Sequence, residues 1–251
     1  MIGADNPLKL RYDEISHNAF GRIILIIRKN EYPQYLQLLK KNPEFKDFTS
    51  EEFAVIQNKM RVRSYPKGQL LFNQADPRAN FYFLAKGLLK TERTDESGNE
   101  FFYEFINETK GFPYRGMFHD HDYSYSVTGM TATEIISIPM ADFESLLLKN
   151  KKMMRNVILE MGQIINENEN QLQLMVNSSA SSRVRNGLKV LGQSIGKDGA
   201  DGTRLIPYPI TLIELSQISG TTRETASQVV KELVAGGQIT YERKYFTLLN
   251  N

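Results

Sequence analysis

The chain of 251 residues has no cysteine. That excludes disulfides, a thiolate zinc site and a Cys-ligated iron–sulfur cluster, and it suits a reducing cytoplasm. Long hydrophobic runs are missing too. The longest purely apolar stretch is Ile23–Ile27, between Arg22 and Arg28, far short of the roughly 20 residues a membrane helix needs. No signal-peptide layout follows the first Met, so a cytoplasmic protein without a membrane partner is expected. Charge of one sign is scarce, the formal net charge being +2. Its distribution is uneven: from Ser178 onward nine Lys/Arg accompany six Asp/Glu, whereas the preceding residues hold 22 basic and 23 acidic side chains. The basic excess is modest and C-terminal. A Walker loop, a Gly-x-Ser-x-Gly elbow and a dinucleotide fingerprint are absent. Acid pairs such as Glu51-Glu52 stand at helix starts, where they satisfy the dipole. Neither an enzyme nor a cofactor is expected.

What is present is 41% hydrophobic content, enough for a sizeable core and two domains. The first thirty residues are poorly patterned, and a flexible arm, a short helix and a stretch upstream of the natural start are all open readings. Tyr32–Lys41 and Ser50–Met60 look helical, the second behind a capping box at Thr49-Ser50-Glu51-Glu52. From Arg61 to Pro139 the pattern is short strands between turn signals: Gln69–Phe72, Phe81–Lys86, Leu88–Thr94, Glu100–Ile106, Tyr125–Met130 and Glu134–Ile138. Many short strands with little helix between them imply a sandwich or barrel. A short helix over Ala141–Lys149 precedes a long one over Lys151–Asn177. There Met154, Ile158, Met161, Ile165, Asn168, Leu172 and Met175 recur at alternating spacings of four and three, an a/d seam with one polar member. An ordinary helix packed on the barrel competes with that, since Val157, Ile164 and Leu174 offer a second apolar face. Both faces together suit a helix that packs on its own barrel and on a partner. Asn177-Ser178-Ser179-Ala180-Ser181-Ser182 reads as a hinge. Val184, Leu188, Leu191 and Ile195 then mark another helix, and Lys197–Gly202 a Gly/Asp-rich loop.

Residues 210–234 are the most informative segment. Two short amphipathic helices flank a Gly-Thr-Thr turn, with capping boxes expected at Thr211/Glu214 and Thr221/Glu224. Leu212, Leu215 and Ile218 stripe the first helix; Ala226, Val229, Val230 and Leu233 stripe the second. The opposite face of the second, behind Thr222, carries Arg223, Glu224, Ser227, Gln228 and Lys231, side chains that suit base edges and phosphates in a major groove. A merely structural helix pair with a solvated polar face is the competing account. Gly236-Gly237 ends the helix. Ile239–Tyr241 and Tyr245–Leu249 then flank Glu242-Arg243-Lys244 as a wing whose tip offers Arg243 and Lys244 to phosphates.

This order resembles the Crp–Fnr family of bacterial transcription regulators over about residues 45–250. The most specific piece is Ser219-Gly220-Thr221-Thr222-Arg223-Glu224-Thr225 with Val229 and Leu233. Phe81–Gly87 and Asp95–Glu100 are similar to the family's barrel strands and the turn between them. The resemblance implies an α+β fold: an N-terminal arm and helix over 1–44, and a cyclic-nucleotide-binding-type β-barrel (jelly roll) over 45–150. A dimerisation helix over 151–177 and a winged helix-turn-helix over 178–251 complete it. It implies a homodimer on a near-palindromic site in double-stranded DNA, acting with RNA polymerase, with a small-molecule effector acting at the barrel in many members.

The departures matter. Cyclic-AMP-binding members hold the ribose and phosphate with a Gly-Glu pair and an Arg-Ser or Arg-Thr pair. Here Thr109–Phe118 and Tyr123–Thr128 contain neither, Arg115 being the only local arginine. Oxygen-sensing members need cysteines. The chain is closer to the Firmicutes members, including PrfA-like and arginine-deiminase regulators, whose barrels lack both chemistries. Arg115, Tyr123 and Tyr125 are the candidate effector residues, although Phe101, Phe102, Tyr103 and Phe105 suggest a barrel filled by aromatics. A sensor whose barrel binds an unidentified effector is the alternative function. His119-Asp120-His121-Asp122 could supply metal ligands but more simply forms an exposed polar loop, so no metal is expected.

Overall fold

The structure is a computed structural model that describes residues 12–17, 23–96, 98, 100–176 and 179–249. By contacts the chain groups into two compact units. One comprises Met1–Thr91 and Ile106–Gly162, the other Glu92–Phe105 and Gln163–Asn251.

The N-terminal segment is neither an arm nor a helix where it is described. β1 (Tyr12–His17) and β2 (Ile23–Ile27) form an antiparallel hairpin. The short isoleucine-rich run had no periodicity of its own. Its strand character comes from β3 (Arg61–Tyr65), which pairs with β2 through Leu25↔Ser64 and Ile26↔Arg63. Helix α1 (Tyr32–Lys41) buries Tyr32, Tyr35, Leu36 and Leu39, one helical face. Helix α2 (Ser50–Lys59) begins with the expected capping box: Thr49 N–H donates to Glu52 Oε2 at 2.8 Å, and Glu52 N–H to Thr49 Oγ1 at 3.3 Å.

The strands that follow are β4 (Leu70–Phe72), β5 (Asn80–Lys86), β6 (Leu89–Thr94), β7 (Glu100–Ile106), β8 (Lys110–Phe112), β9 (Ser126–Gly129) and β10 (Thr133–Pro139). They build one sheet of order β1-β2-β3-β10-β5-β8 and another of order β4-β9-β6-β7. Strands β3 and β8 were missed in the sequence, because arginines interrupt the alternation of one and the other is three residues long. Period-two alternation on β5 divides the packing. Phe81 and Phe83 meet Phe45, and Phe81 stacks on Phe143 of α3 (Met140–Lys149) with centroids 3.9 Å apart. Tyr82 and Leu84 point the other way, into a buried cluster with Tyr65, Phe72, Leu89, Ile106, Phe112, Tyr123, Tyr125, Val127 and Ile135. Phe72 lies on Tyr123 at 3.8 Å and Tyr82 on Phe112 at 5.4 Å, so stacked rings occupy this space. The side chains of Phe101, Phe102 and Tyr103, from which a filled barrel was expected, lie outside the described residues.

Helix α4 (Lys151–Val176) opens at Asn150, whose Oδ1 accepts from Lys152 and Met153 N–H at 3.1 and 3.0 Å. The same amide donates to Asp47 O and Glu52 Oε2, and Asn156 donates to Asp47 Oδ2 at 2.8 Å. Met153 and Val157 are buried. The first turns of α4 are thus tied down by polar contacts as well as by apolar packing.

In the other unit, helix α5 (Ala180–Ile195) starts inside the expected hinge. Asn177 and Ser178 lie outside the described residues, but Ser179 accepts from Ser182 N–H at 3.1 Å, so Ala180–Ser182 form the first helical turn. Val184, Leu188, Leu191 and Ile195 are buried. The Gly/Asp-rich loop contains a short strand, β11 (Lys197–Asp198), paired with β12 (Arg204–Leu205). Helices α6 (Leu212–Ile218) and α7 (Arg223–Ala235) pack on α5. Strands β13 (Ile239–Glu242) and β14 (Tyr245–Leu248) complete a sheet of order β11-β12-β14-β13.

Candidate nucleic-acid interface

Helix α6 has its predicted box: Glu214 Oε2 accepts from Thr211 N–H at 2.7 Å, and Thr211 Oγ1 accepts from Glu214 N–H at 3.1 Å. The cap of α7 is one residue later than expected. Thr221 N–H is engaged by the turn, donating to Ser216 O at 3.0 Å. Thr222 therefore becomes the N-cap and accepts from Thr225 N–H at 3.2 Å. Glu224 stays outside the box. Its own N–H and the Thr222 hydroxyl hold its carboxyl below the usual range, leaving a charged acceptor at the helix start. Arg183 on α5 fixes the turn, donating from its guanidinium to Ser219 O and Gly220 O at 3.1 and 3.0 Å.

Ala226, Val229, Val230 and Leu233 are the buried face of α7, as the periodicity required. Thr222, Arg223, Glu224, Gln228 and Lys231 are exposed and Ser227 is half-buried, so the candidate readers share the opposite side. Gln228 Nε2 donates to Glu232 Oε1 at 3.0 Å, which orients the amide one turn into the helix. Glu232 was not foreseen in this role; its i,i+4 spacing was the available signal. The helix stops in a Schellman arrangement: Gly237 N–H donates to Val234 O and Gln238 N–H to Leu233 O, with Gly237 at φ 64°.

The wing is tied to the start of the motif. Ile210 N–H donates to Lys244 O at 2.7 Å, and Tyr241 Oη to Ile210 O at 3.2 Å. Glu242 belongs to β13, so the tip is the two-residue turn Arg243-Lys244. Both residues have positive φ, 50° and 74°. Such a turn favours Asn-Gly, and each L-residue with a longer side chain costs roughly 1–2 kcal/mol there. Two exposed cations occupy it instead.

The seam residues of α4 lie on one exposed face. Ile158, Ile165 and Leu172 are 60%, 56% and 61% exposed, and Met154, Met161 and Asn168 are half-buried. The Met175 side chain lies outside the described residues. Val157, from the alternative face, is buried.

The three effector candidates are not brought together. Tyr123 and Tyr125 belong to the buried aromatic cluster, where Tyr123 Oη donates to Asn80 O and accepts from Asn80 N–H, both at 3.0 Å. Arg115 is exposed and outside that cluster, so this three-residue pocket must be corrected to two packed tyrosines and a surface cation. In the histidine loop, His119 pairs with Asp120 Oδ1 at 2.9 Å. Among the described residues no group of three or more His, Asp or Glu is arranged to hold a metal, and no helix is long and apolar enough to cross a membrane.

Comparison with known proteins agrees with this architecture. Residues 62–150 match the model of the cyclic nucleotide-binding domain. The HTH-type transcriptional regulator ArcR of Staphylococcus epidermidis is 29% identical over 177 residues, covering 68% of this chain and 75% of that protein. The regulator of the same name in Staphylococcus aureus is 25% identical over 194 residues, covering 74% and 80%. Two solved structures share the fold at low identity. The c-di-GMP responsive global regulator CLP of Xanthomonas campestris has a TM-score of 0.69 at 15% identity, over 81% of this chain and all of that one. A CRP/FNR-family transcriptional regulator of Thermus thermophilus has a TM-score of 0.61 at 19% identity, over 75% and 93%. Residues 62–150 are thus similar to a cyclic nucleotide-binding domain, and over about seven tenths of its length the chain is similar to HTH-type transcriptional regulators, with a fold it shares with a CRP/FNR-family regulator.

Proposed function

We propose that the protein is a homodimeric, sequence-specific regulator that binds a near-palindromic promoter site and is not controlled by cyclic AMP. It acts in the cytoplasm, with RNA polymerase as its further partner. The proposed domain limits are barrel 45–150, dimerisation helix 151–177 and DNA-binding domain 178–251. The observation that carries the reading is the exposed face of α7, where two cations, a charged acceptor and an oriented amide stand together opposite the buried stripe.

Arg223 and Glu224 enter at the start of the recognition helix, with Ser227 and Gln228 one turn further in. Gln228 uses one amide hydrogen on Glu232, which leaves its second N–H and its carbonyl for adenine N7 and N6, a bidentate pair. Family members that resemble this motif often carry Arg at that position, which suits guanine, so adenine is expected here. Lys231, Arg243 and Lys244 contact phosphates, adding affinity and salt dependence without sequence information. Pairing of two α4 seams across a two-fold axis buries Ile158, Ile165 and Leu172, and Asn168 fixes the register. Half-sites then lie roughly 10–11 bp apart, one helical turn.

The barrel supports the reading of independence from cyclic AMP. A cyclic phosphate in a partly buried site needs a cation or several N–H donors in place of its hydration. The interior holds stacked rings, and Arg115 is exposed. Selection of bound duplexes from a random pool, followed by gel shift against random competitor, tests the DNA reading. Titration calorimetry with cyclic AMP beside operator binding tests the rest. Absence of any enriched sequence defeats the first, and a tenfold gain in operator affinity with cyclic AMP, about 1.4 kcal/mol of coupling, defeats the second.

A further inference from the structure

We propose that Lys110 is a positioning residue that clamps the first half of α4 to the barrel, acting as one cation between carboxylates from two different elements. Only its functional readout rests on the DNA-binding reading above; the clamp itself lies within one compact unit.

Glu44 sits in the 3₁₀ turn Pro43–Phe45, with its side chain 9% exposed. Its Oε2 accepts from Tyr114 Oη at 2.8 Å and from Gly111 N–H at 3.0 Å. Its Oε1 lies 3.3 Å from Lys110 Nζ. The same ammonium donates to Glu160 Oε1 on α4 at 2.7 Å. Around Glu44 the charged and titratable neighbours are thus Lys110 on β8, Tyr114 just beyond it, and Glu160 on α4. The backbone beside them is gripped too, because Asn42 Nδ2 donates to Thr109 O at 2.6 Å and Asn42 Oδ1 accepts from Glu44 N–H at 2.7 Å. Two residues along, Phe112 stacks on Tyr82 in the barrel cluster. Strand β8 therefore touches the packed interior through one residue and the long helix through another.

Burial raises the Glu44 carboxyl above its usual range, and Tyr114, Lys110 and Gly111 only partly offset this. Burial alone would lower Lys110, but Glu160 and Glu44 outweigh it and hold the ammonium above its usual range. Removing the lysine charge leaves two acids facing each other with no counter-charge, which is costly in a partly buried site. The sign of the pH effect follows. A carboxyl raised in the folded state favours folding at low pH and loses that contribution as pH rises through its folded value. Without Lys110 the Glu44 carboxyl shifts further up, so the variant is weakest at neutral pH and recovers on mild acidification.

The test uses the intact protein. Amide exchange over residues 151–162, and affinity for a duplex selected from a random pool by the wild type, are measured near neutral and at mildly acidic pH. Each is expressed as a ratio to wild type at the same pH. Lys110→Met should speed exchange over that stretch by about tenfold near neutral pH, the size of a typical coupling, and weaken duplex binding severalfold. Both losses should shrink on acidification. Lys110→Arg should stay close to wild type, and Glu44→Gln combined with Lys110→Met should restore protection at neutral pH, because the like-charge pair is gone. A Lys110→Met protein with wild-type exchange, or one whose loss is equal at both pH values and is not relieved by Glu44→Gln, overturns the proposal. If the wild type selects no duplex, the DNA reading fails, and exchange still decides the clamp.

Discussion

The crossing of α5 with α6 offers a sharp test of how the recognition unit is packed. Gly187 is buried on α5, and a Cβ built on it would lie 2.5 Å from Ser219 Oγ. The next nearest atoms are Ile218 Cγ2 at 3.5 Å and Leu215 Cδ1 at 3.6 Å, which are ordinary contacts. One hydroxyl therefore accounts for the whole conflict. That hydroxyl is itself fully buried and has no hydrogen-bond partner. Gly187→Ala should gain about 1 kcal/mol of helix propensity yet lose roughly 2–3 kcal/mol to overpacking, a net destabilisation of about 1–2 kcal/mol. Ser219→Ala alone should stabilise by about 1 kcal/mol, since an unsatisfied buried hydroxyl is removed. The double variant should exceed wild type by about 2 kcal/mol, because the clash is gone and both gains remain. The coupling between the sites is then roughly 2–3 kcal/mol. Native-state hydrogen exchange of the buried amides in α5, α6 and α7 reports this unit by itself. Coupling below about 0.5 kcal/mol would refute the reasoning, because the clash would then not run through Ser219.

Replacing Arg243-Lys244 by Asn-Gly should stabilise the wing by about 1–2 kcal/mol while reducing the salt slope of operator binding by about four, two for each protomer of the dimer, as measured by urea denaturation and by titrations at several salt concentrations. Unchanged operator affinity would show that the tip does not meet DNA. Ile158→Asp with Ile165→Asp should convert dimers to monomers in sedimentation at micromolar concentration, and a monomeric wild type would sink the seam. Gln228→Arg should shift the selected base at one half-site position from adenine to guanine, worth about 1–3 kcal/mol of discrimination. No movement at any position would remove Gln228 from the readers. Glu232→Ala should relax the same position without replacing its preferred base, since it removes only the partner of the Gln228 amide.

The sequence by itself determined the features that depend on neighbours a few residues away. Capping at Thr49 and Thr211, the buried stripes of α5 and α7, the glycine stop after Ala235 and most barrel strands are set by hydrogen bonds and periodicities of that range. The helix-turn-helix motif at Ser219–Thr225 was legible for the same reason. Where two local options competed, contacts chose: Thr222 rather than Thr221 caps α7, because Ser216 engages the Thr221 N–H. Only the tertiary structure decided what joins distant segments. Strand β2 exists as a strand because β3 is there to pair with it. Arg115 was near the tyrosines in sequence, yet chain direction put it on the surface while Tyr123 entered the ring stack. Lys110 meets Glu160 across 50 residues and Asn156 meets Asp47 across 109. An ion pair or amide contact at such separation leaves no period in the chain, because its geometry is fixed by how sheets and helices pack rather than by the backbone between the partners.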